Sequence, residues 1–181
     1  EGEGEARDLL LKSPDERVLA TGRDAHPLLA AALAGTGPGA LPPALVDGGR
    51  RWWLAEVADE ASLRGWLPDH SAIGALARAT GSMGLCAFAR SDARDYQLVV
   101  RAFPAGVGIV EDPASGAANG LIAAYIAQAE PHGPLARGYA ISQGREMGHD
   151  ARLLARIEPE AIWVGGRART VVDGLLHWNG S

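Results

Sequence analysis

The stretch Glu111-Asp112-Pro113-Ala114-Ser115-Gly116-Ala117-Ala118-Asn119-Gly120 decides how the chain is read. It lies between a largely apolar run, Val99 to Val110, and an uncharged segment, Leu121 to Ala129. Two adjacent carboxylates, a proline and a turn of small residues stand where a helix begins. Asp, Ser and Pro all favour helix starts. From Ala114 to Ala129 the polar side chains are only Ser115, Asn119, Tyr125 and Gln128. A helix apolar on all sides must be enclosed by protein, and this one is too short to cross a bilayer. The pattern predicts a strand, a sharp acidic turn and a helix buried in the middle of a lobe.

Such a turn has a chemical use. The first N–H groups of a helix lack internal partners and carry partial positive charge. Gly116 and Ala117 leave theirs accessible. That end can bind a carboxylate or phosphate, or hold a developing oxyanion, and Asp112 beside it can orient a substrate group or relay a proton. The plainer alternative stays open: Asp112 or Ser115 merely caps the helix and Glu111 is solvated.

Two blocks of sequence bear on that choice. The first is Arg101-Ala102-Phe103 followed by Gly108-Ile109-Val110-Glu111-Asp112-Pro113-Ala114-Ser115-Gly116-Ala117-Ala118-Asn119. The second is Tyr139, Ile141, Gln143-Gly144 and Met147-Gly148, with a tail from Val164-Gly165-Gly166 to Val171-Val172-Asp173-Gly174. Together they resemble the signature of the phenazine-biosynthesis PhzF-like family, Arg-x-Phe, then Glu-Asp-Pro-Ala-Thr-Gly-Ser-Ala-Asn, then Gln-Gly-x-x-Met-Gly-Arg. Trp53-Leu54 to Val57 and Leu67-Pro68-Asp69 fit weaker upstream patterns. The resemblance implies an α+β class, a diaminopimelate-epimerase-like lobe with a mixed β-sheet wrapped round a central buried helix. It implies Asp112 as the catalytic polar residue, with Glu111, Ser115, Gly116, Ala117, Gln143 and Gly144 against the substrate. Family members have two lobes, and the first supplies a glutamate and a Gly-His-Ala-Thr loop. Neither is found here, so the chain resembles the C-terminal half. It also departs from the pattern at Ala117, where the family has serine, and at His149, where it has arginine; Ser115 stands at the threonine position.

Composition narrows the alternatives. The chain has 181 residues and 47% hydrophobic content, enough for one domain with a real core. A net charge of −5 with scattered arginines argues against nucleic-acid binding. A single cysteine, Cys86, excludes an internal disulfide and a multi-cysteine zinc site, and its apolar neighbours mark a core thiol. The five histidines show no paired ligand spacing, so no metal is expected. Gly35-x-Gly37 and Gly106-x-Gly108 do not extend to a dinucleotide fingerprint. No cofactor, no membrane contact and a cytoplasmic setting are expected.

The organisation expected is an N-terminal extension or first-lobe remnant over 1–22, a lobe over 23–168 and a closing strand and tail over 169–181. Within it, strands are expected at Ala6–Lys12, Arg17–Thr21, Ala44–Val46, Arg51–Ala58, Met83–Ala89 and Tyr96–Phe103, and near Gly138–Ser142, Leu153–Ile157, Ala161–Val164 and Arg169–Leu176. Helices are expected at Asp24–Ala34, capped by Asp24, and at Glu60–Trp66 and Ser71–Thr80, besides the central one. Trp52 and Trp53 point to opposite sides of a regular strand, one to the core and the other to a partner. The functional expectation is a cofactor-independent isomerase site for a small carboxylated metabolite, completed by a homodimer or a complementary N-terminal half-chain. The alternative is a non-catalytic carboxylate-binding or protein-interaction domain on the same fold.

Overall fold

The computed structural model describes residues 7–175 and residue 177. In chain order the elements are β1 (Arg7–Lys12), β2 (Arg17–Thr21), α1 (Leu29–Ala32), β3 (Ala44–Asp47), β4 (Arg51–Glu56), α2 (Glu60–Gly65), α3 (His70–Thr80), β5 (Leu85–Arg90), β6 (Leu98–Phe103), α4 (Gly116–Ala129), β7 (Gly138–Gln143), β8 (Ala151–Glu158) and β9 (Ala161–Ala168). The strands form one mixed sheet in the order β1-β9-β8-β7-β6-β5-β4-β3-β2. Only β4–β5 and β6–β7 pair in parallel. Each parallel pair is joined by a helical crossover, α2–α3 in one case and α4 in the other.

The two edges of the sheet are consecutive in sequence. β1 and β2 are joined by Ser13–Glu16 alone, and each residue spans at most about 3.5 Å. The sheet must therefore curl until its edges approach, and α4 fills the space inside. Ser13 continues the β1–β9 edge, donating its N–H to the Ile162 carbonyl at 2.7 Å. It then crosses so close to α4 that a Cβ on Gly120 would collide with the Ser13 hydroxyl. The expected burial of the central helix is met through its middle, Ala118 to Ala123 being buried without a break, while Gly116, Ala117, Gln128 and Ala129 at its ends are exposed.

Strand alternation gives the sheet two apolar faces. Inward residues such as Val46, Leu54, Phe88, Val100, Ile141 and Val164 pack against Ile122 and Ile126. Outward residues such as Leu45, Ala55, Ala87, Val99 and Phe103 pack beneath α1–α3, with Leu29, Leu63, Ile73 and Leu76. α2 and α3 start on local signals: Asp59 accepts from the Ser62 N–H at 2.7 Å, and Asp69 from Ser71 and Ala72 at 2.9 and 3.0 Å.

Several expectations need correction. Across its described part, the segment expected as an extension or first-lobe remnant, 1–22, is paired into the sheet, β1 with β9 and β2 with β3. Residues 169–175, expected as a closing strand, form no strand, and Leu176 lies outside the described residues; the strand expected at Ala161–Val164, β9, instead runs on to Ala168. α1 is a single turn without a side-chain cap, so Asp24 does not start it. Trp52 and Trp53 do diverge, but both are buried, Trp52 beside α4 and Trp53 under α1 and α3. Neither is a surface anchor. Among the described residues no helix is long and apolar enough to cross a membrane.

Candidate functional site

β6 ends where the family-like turn begins, and Asp112 stays tied to it: its N–H donates to the Ala102 carbonyl at 2.9 Å. Arg101, one residue earlier, faces outward and is buried. Its Nε and Nη2 donate to the two Glu111 carboxylate oxygens, both at 2.9 Å, and its Nη1 donates to the Leu63 and Trp66 carbonyls at 3.2 and 2.7 Å. A bidentate guanidinium thus joins the turn to the carbonyl end of α2. Glu111 is not solvated, since both its oxygens accept from Arg101.

The turn then presents its chemistry. Asp112 Oδ1 accepts from the Ala114 N–H at 3.0 Å, a local bond that fixes the carboxylate at the turn. Ser115 is the N-cap of α4, and its Oγ accepts from the Ala118 N–H at 3.4 Å. The Asn119 N–H donates to the Ser115 carbonyl. The N–H groups of Gly116 and Ala117 have no partner among the described residues, and both residues are exposed. A Cβ on Gly116 would meet nothing. Capping by Ser115 and an open helix end therefore coexist.

Gln143 and Gly144, expected to touch a ligand, are buried instead. Gln143 directs its amide at the turn backbone. Gly144 has φ +89°, and a Cβ there would lie 2.7 Å from the Pro113 carbonyl oxygen. Replacing Gly144 with alanine is expected to cost about 1–3 kcal/mol through strain and overpacking, with the Ala114 amide resonance displaced. Urea unfolding and amide spectra check this; a stability within about 0.5 kcal/mol of wild type would reject the close packing. The next layer out is charged. Ser142 Oγ accepts from Arg64 at 3.0 Å and from Arg152 at 3.3 Å, and Arg64 pairs with Glu146 at 2.7 Å. These bonds brace the Arg145–Met147 turn that follows Gly144.

Beside the helix end lies a hollow of about 190 Å³ lined by Leu11, Lys12, Ser13, Pro14, Gly116, Ala117 and Val164. Lys12 is among the lining residues of this hollow and also lines a second, larger groove. Sequence reasoning missed Lys12, because nothing local links β1 to a turn a hundred residues later. That larger groove, about 900 Å³, runs from the same Lys12–Pro14 segment to the C-terminal end of α4 and contains none of the expected site residues. Glu16 lines it, and burial pushes its carboxyl above the usual range. Cys86 is a core thiol as expected, raised well above its ordinary value by burial. Among the described residues no group of three or more His, Cys, Asp or Glu gathers as a metal site.

Comparison with known proteins gives consistent results. The fold resembles a phenazine biosynthesis protein of the PhzF family from Bacillus anthracis, with a TM-score of 0.66 and 16% identity over 90% of this chain and 60% of that one. It also resembles a predicted epimerase from Pseudomonas aeruginosa, with a TM-score of 0.64 and 18% identity over 93% of this chain and 63% of that one. A curated relative, "Antisense-enhancing sequence 1" of Schizosaccharomyces pombe, is 23% identical over 138 residues, 74% of this chain and 46% of that protein. The chain spans about half to three fifths of the length of these relatives. The family profile described as phenazine biosynthesis-like protein matches residues 1–174, and the chain belongs to that family.

Proposed function

We propose that this chain carries one half of an isomerase or epimerase site that moves a proton on a small carboxylated metabolite without a cofactor. One observation carries the reading: two unpartnered amides, Gly116 and Ala117, open beside the Asp112 carboxylate at the start of a buried helix. The amides hold the substrate carboxylate, and Ser115, whose hydroxyl already caps the helix, keeps the amides in place. Asp112 orients or exchanges the proton. Removing a proton from carbon and returning it on the other face takes a second acid–base group across the site.

That group comes from a complementary lobe, on a separate half-chain or a second copy. The rim around the turn is apolar and open: Leu9, Leu11, Ile109 and Val110 are each at least half exposed. Leu9 borders a hollow with Ala114, and Leu11 borders one with Gly116 and Ala117. Burying such a rim drives association. The greater length of the relatives supports a second lobe, and a cytoplasmic dimer is the setting proposed. The second reading, a non-catalytic carboxylate-binding or interaction domain, draws on Ala117, which has a methyl where the family places a hydroxyl.

The test is deuterium exchange into a panel of small 2-substituted carboxylates in deuterated water, read by mass spectrometry. Diluted until sedimentation shows a monomer, the chain is expected to bind without exchanging. Adding a first lobe from a family member should start exchange, and Asp112→Asn should lower it about 10²- to 10⁴-fold. Exchange by that monomer, lost in Asp112→Asn, would overturn the shared-site reading. Absence of both binding and exchange would overturn the function altogether.

A further inference from the structure

The polar groups behind the turn form a closed set. Gln143 and Asn119 are both fully buried. Gln143 Nε2 donates to the Asp112 carbonyl at 2.6 Å. Its Oε1 accepts from the Ser115 N–H at 3.3 Å and from Asn119 Nδ2 at 2.8 Å. Asn119 Nδ2 also donates to the Ser115 carbonyl at 2.8 Å. One side chain on β7 therefore grips both ends of the segment from Asp112 to Ser115. The amide of Gln143 has only one workable orientation, because only its oxygen can take the Ser115 N–H and only its nitrogen can serve the Asp112 carbonyl. Asn119 Oδ1 has no partner among the described residues. Its amide is held through nitrogen alone, although an unpaired buried acceptor is costly.

We propose that Gln143 and Asn119 are positioning residues of this site, setting the direction in which the Gly116 and Ala117 amides and the Asp112 carboxylate face. Neither touches a ligand; both act through the backbone at Asp112 and Ser115. The proposal rests on the reading of those amides as anion donors.

Gln143→Glu makes the idea testable. Protonated, the introduced carboxyl reproduces the amide: its O–H donates to the Asp112 carbonyl and its other oxygen accepts from Ser115 and Asn119. Ionised, it turns an acceptor toward the Asp112 carbonyl and places a negative charge behind the anion site. Burial raises such a carboxyl above the usual range while the Ser115 N–H and Asn119 Nδ2 donors favour its ionised form, so both states are reached between about pH 5 and 9. The acidic neighbours are Asp112 on the turn itself and Glu111, already paired with Arg101.

The measurement is amide NMR of the chain across that pH range, free and with acetate. In the free variant, the Ser115, Gly116 and Ala117 resonances should follow one titration that wild type lacks. Acetate affinity, read at Gly116 and Ala117, should fall about tenfold from the acid to the alkaline limb. A purely structural Gln143 would lower stability without linking acetate affinity to that titration. Free-state resonances that ignore the titration overturn the proposal. Resonances that follow it while wild type shows no acetate shift uphold the positioning role and remove the anion reading instead. Should Gln143→Glu fail to fold, Asn119→Ala removes one partner of Gln143 while favouring helix. Faster exchange at the Ser115 amide and several-fold weaker acetate binding are then expected, and unchanged values overturn the proposal.

Discussion

Replacing Arg101 with leucine is expected to destabilise the protein by about 3–5 kcal/mol. The guanidinium is nearly enclosed, with 7% of its side chain exposed, and Glu111 opposite is at 9%. Removing the cation leaves a buried carboxylate without a counter-charge, which is worse than never having buried the pair. It also strips a donor from the Leu63 and Trp66 carbonyls at the end of α2. Removing Glu111 as well should recover much of the loss, because no charge then stays unpaired. It should not recover all of it, because those carbonyls still lack their donor, a cost of about 1–3 kcal/mol. Urea unfolding of the two single variants and the double variant supplies the cycle. A cost near 0.5 kcal/mol for Arg101→Leu, typical of surface substitutions, would show that the pair is solvated.

The second large effect concerns Trp53. It is 1% exposed, lies in the outer core, and donates from Nε1 to Thr80 Oγ1 at 3.2 Å. Trp53→Ala removes a large side chain from beneath α1 and α3, where little can move in to fill the gap, and is expected to cost about 3–5 kcal/mol. Trp53→Phe keeps most of the volume and should cost clearly less. Were Trp53 an anchor for a partner instead, alanine would weaken association and leave the monomer's stability almost untouched. Unfolding and sedimentation of the same variant separate the two outcomes.

Trp53 also shows where the sequence stops being informative. Alternation along β4 says that neighbouring side chains diverge, but not what covers each face. The helices over the outer face come from segments on either side of β4, and their docking depends on tertiary packing. By contrast, α4 and its turn were legible because every signal is local: a cap, a proline, and an uninterrupted apolar run. The amides of Gly116 and Ala117 follow from the same local logic. Gln143 carried a signal too, its place in a family-like block, but not its meaning: a conserved-looking polar residue reads the same whether it faces a ligand or a backbone. Glu111 is a similar case, with its partner ten residues back on the strand that the turn closes. α1 was overread because Asp24 and Pro27 fit a helix start, while the chain uses tight turns there before a single helical turn. Lys12 and the β1–β9 pairing had no local signal at all.

That pairing has a consequence for how the chain is made. Arg7 pairs with Ala168 and Lys12 with Trp163, so β1 waits for β9 before its edge is satisfied. At about 5–20 residues per second of synthesis, β1 emerges roughly ten to thirty seconds before β9 exists. Throughout that interval Leu9, Leu10 and Leu11 sit on an unpaired strand, the kind of edge that recruits wrong partners. The short link Ser13–Glu16 keeps the strand tethered to β2, which finds β3 much sooner. The nascent protein thus carries its own half-finished seam. The charges of Arg7, Asp8 and Lys12 flanking the leucines are the guard on that seam until translation reaches residue 168.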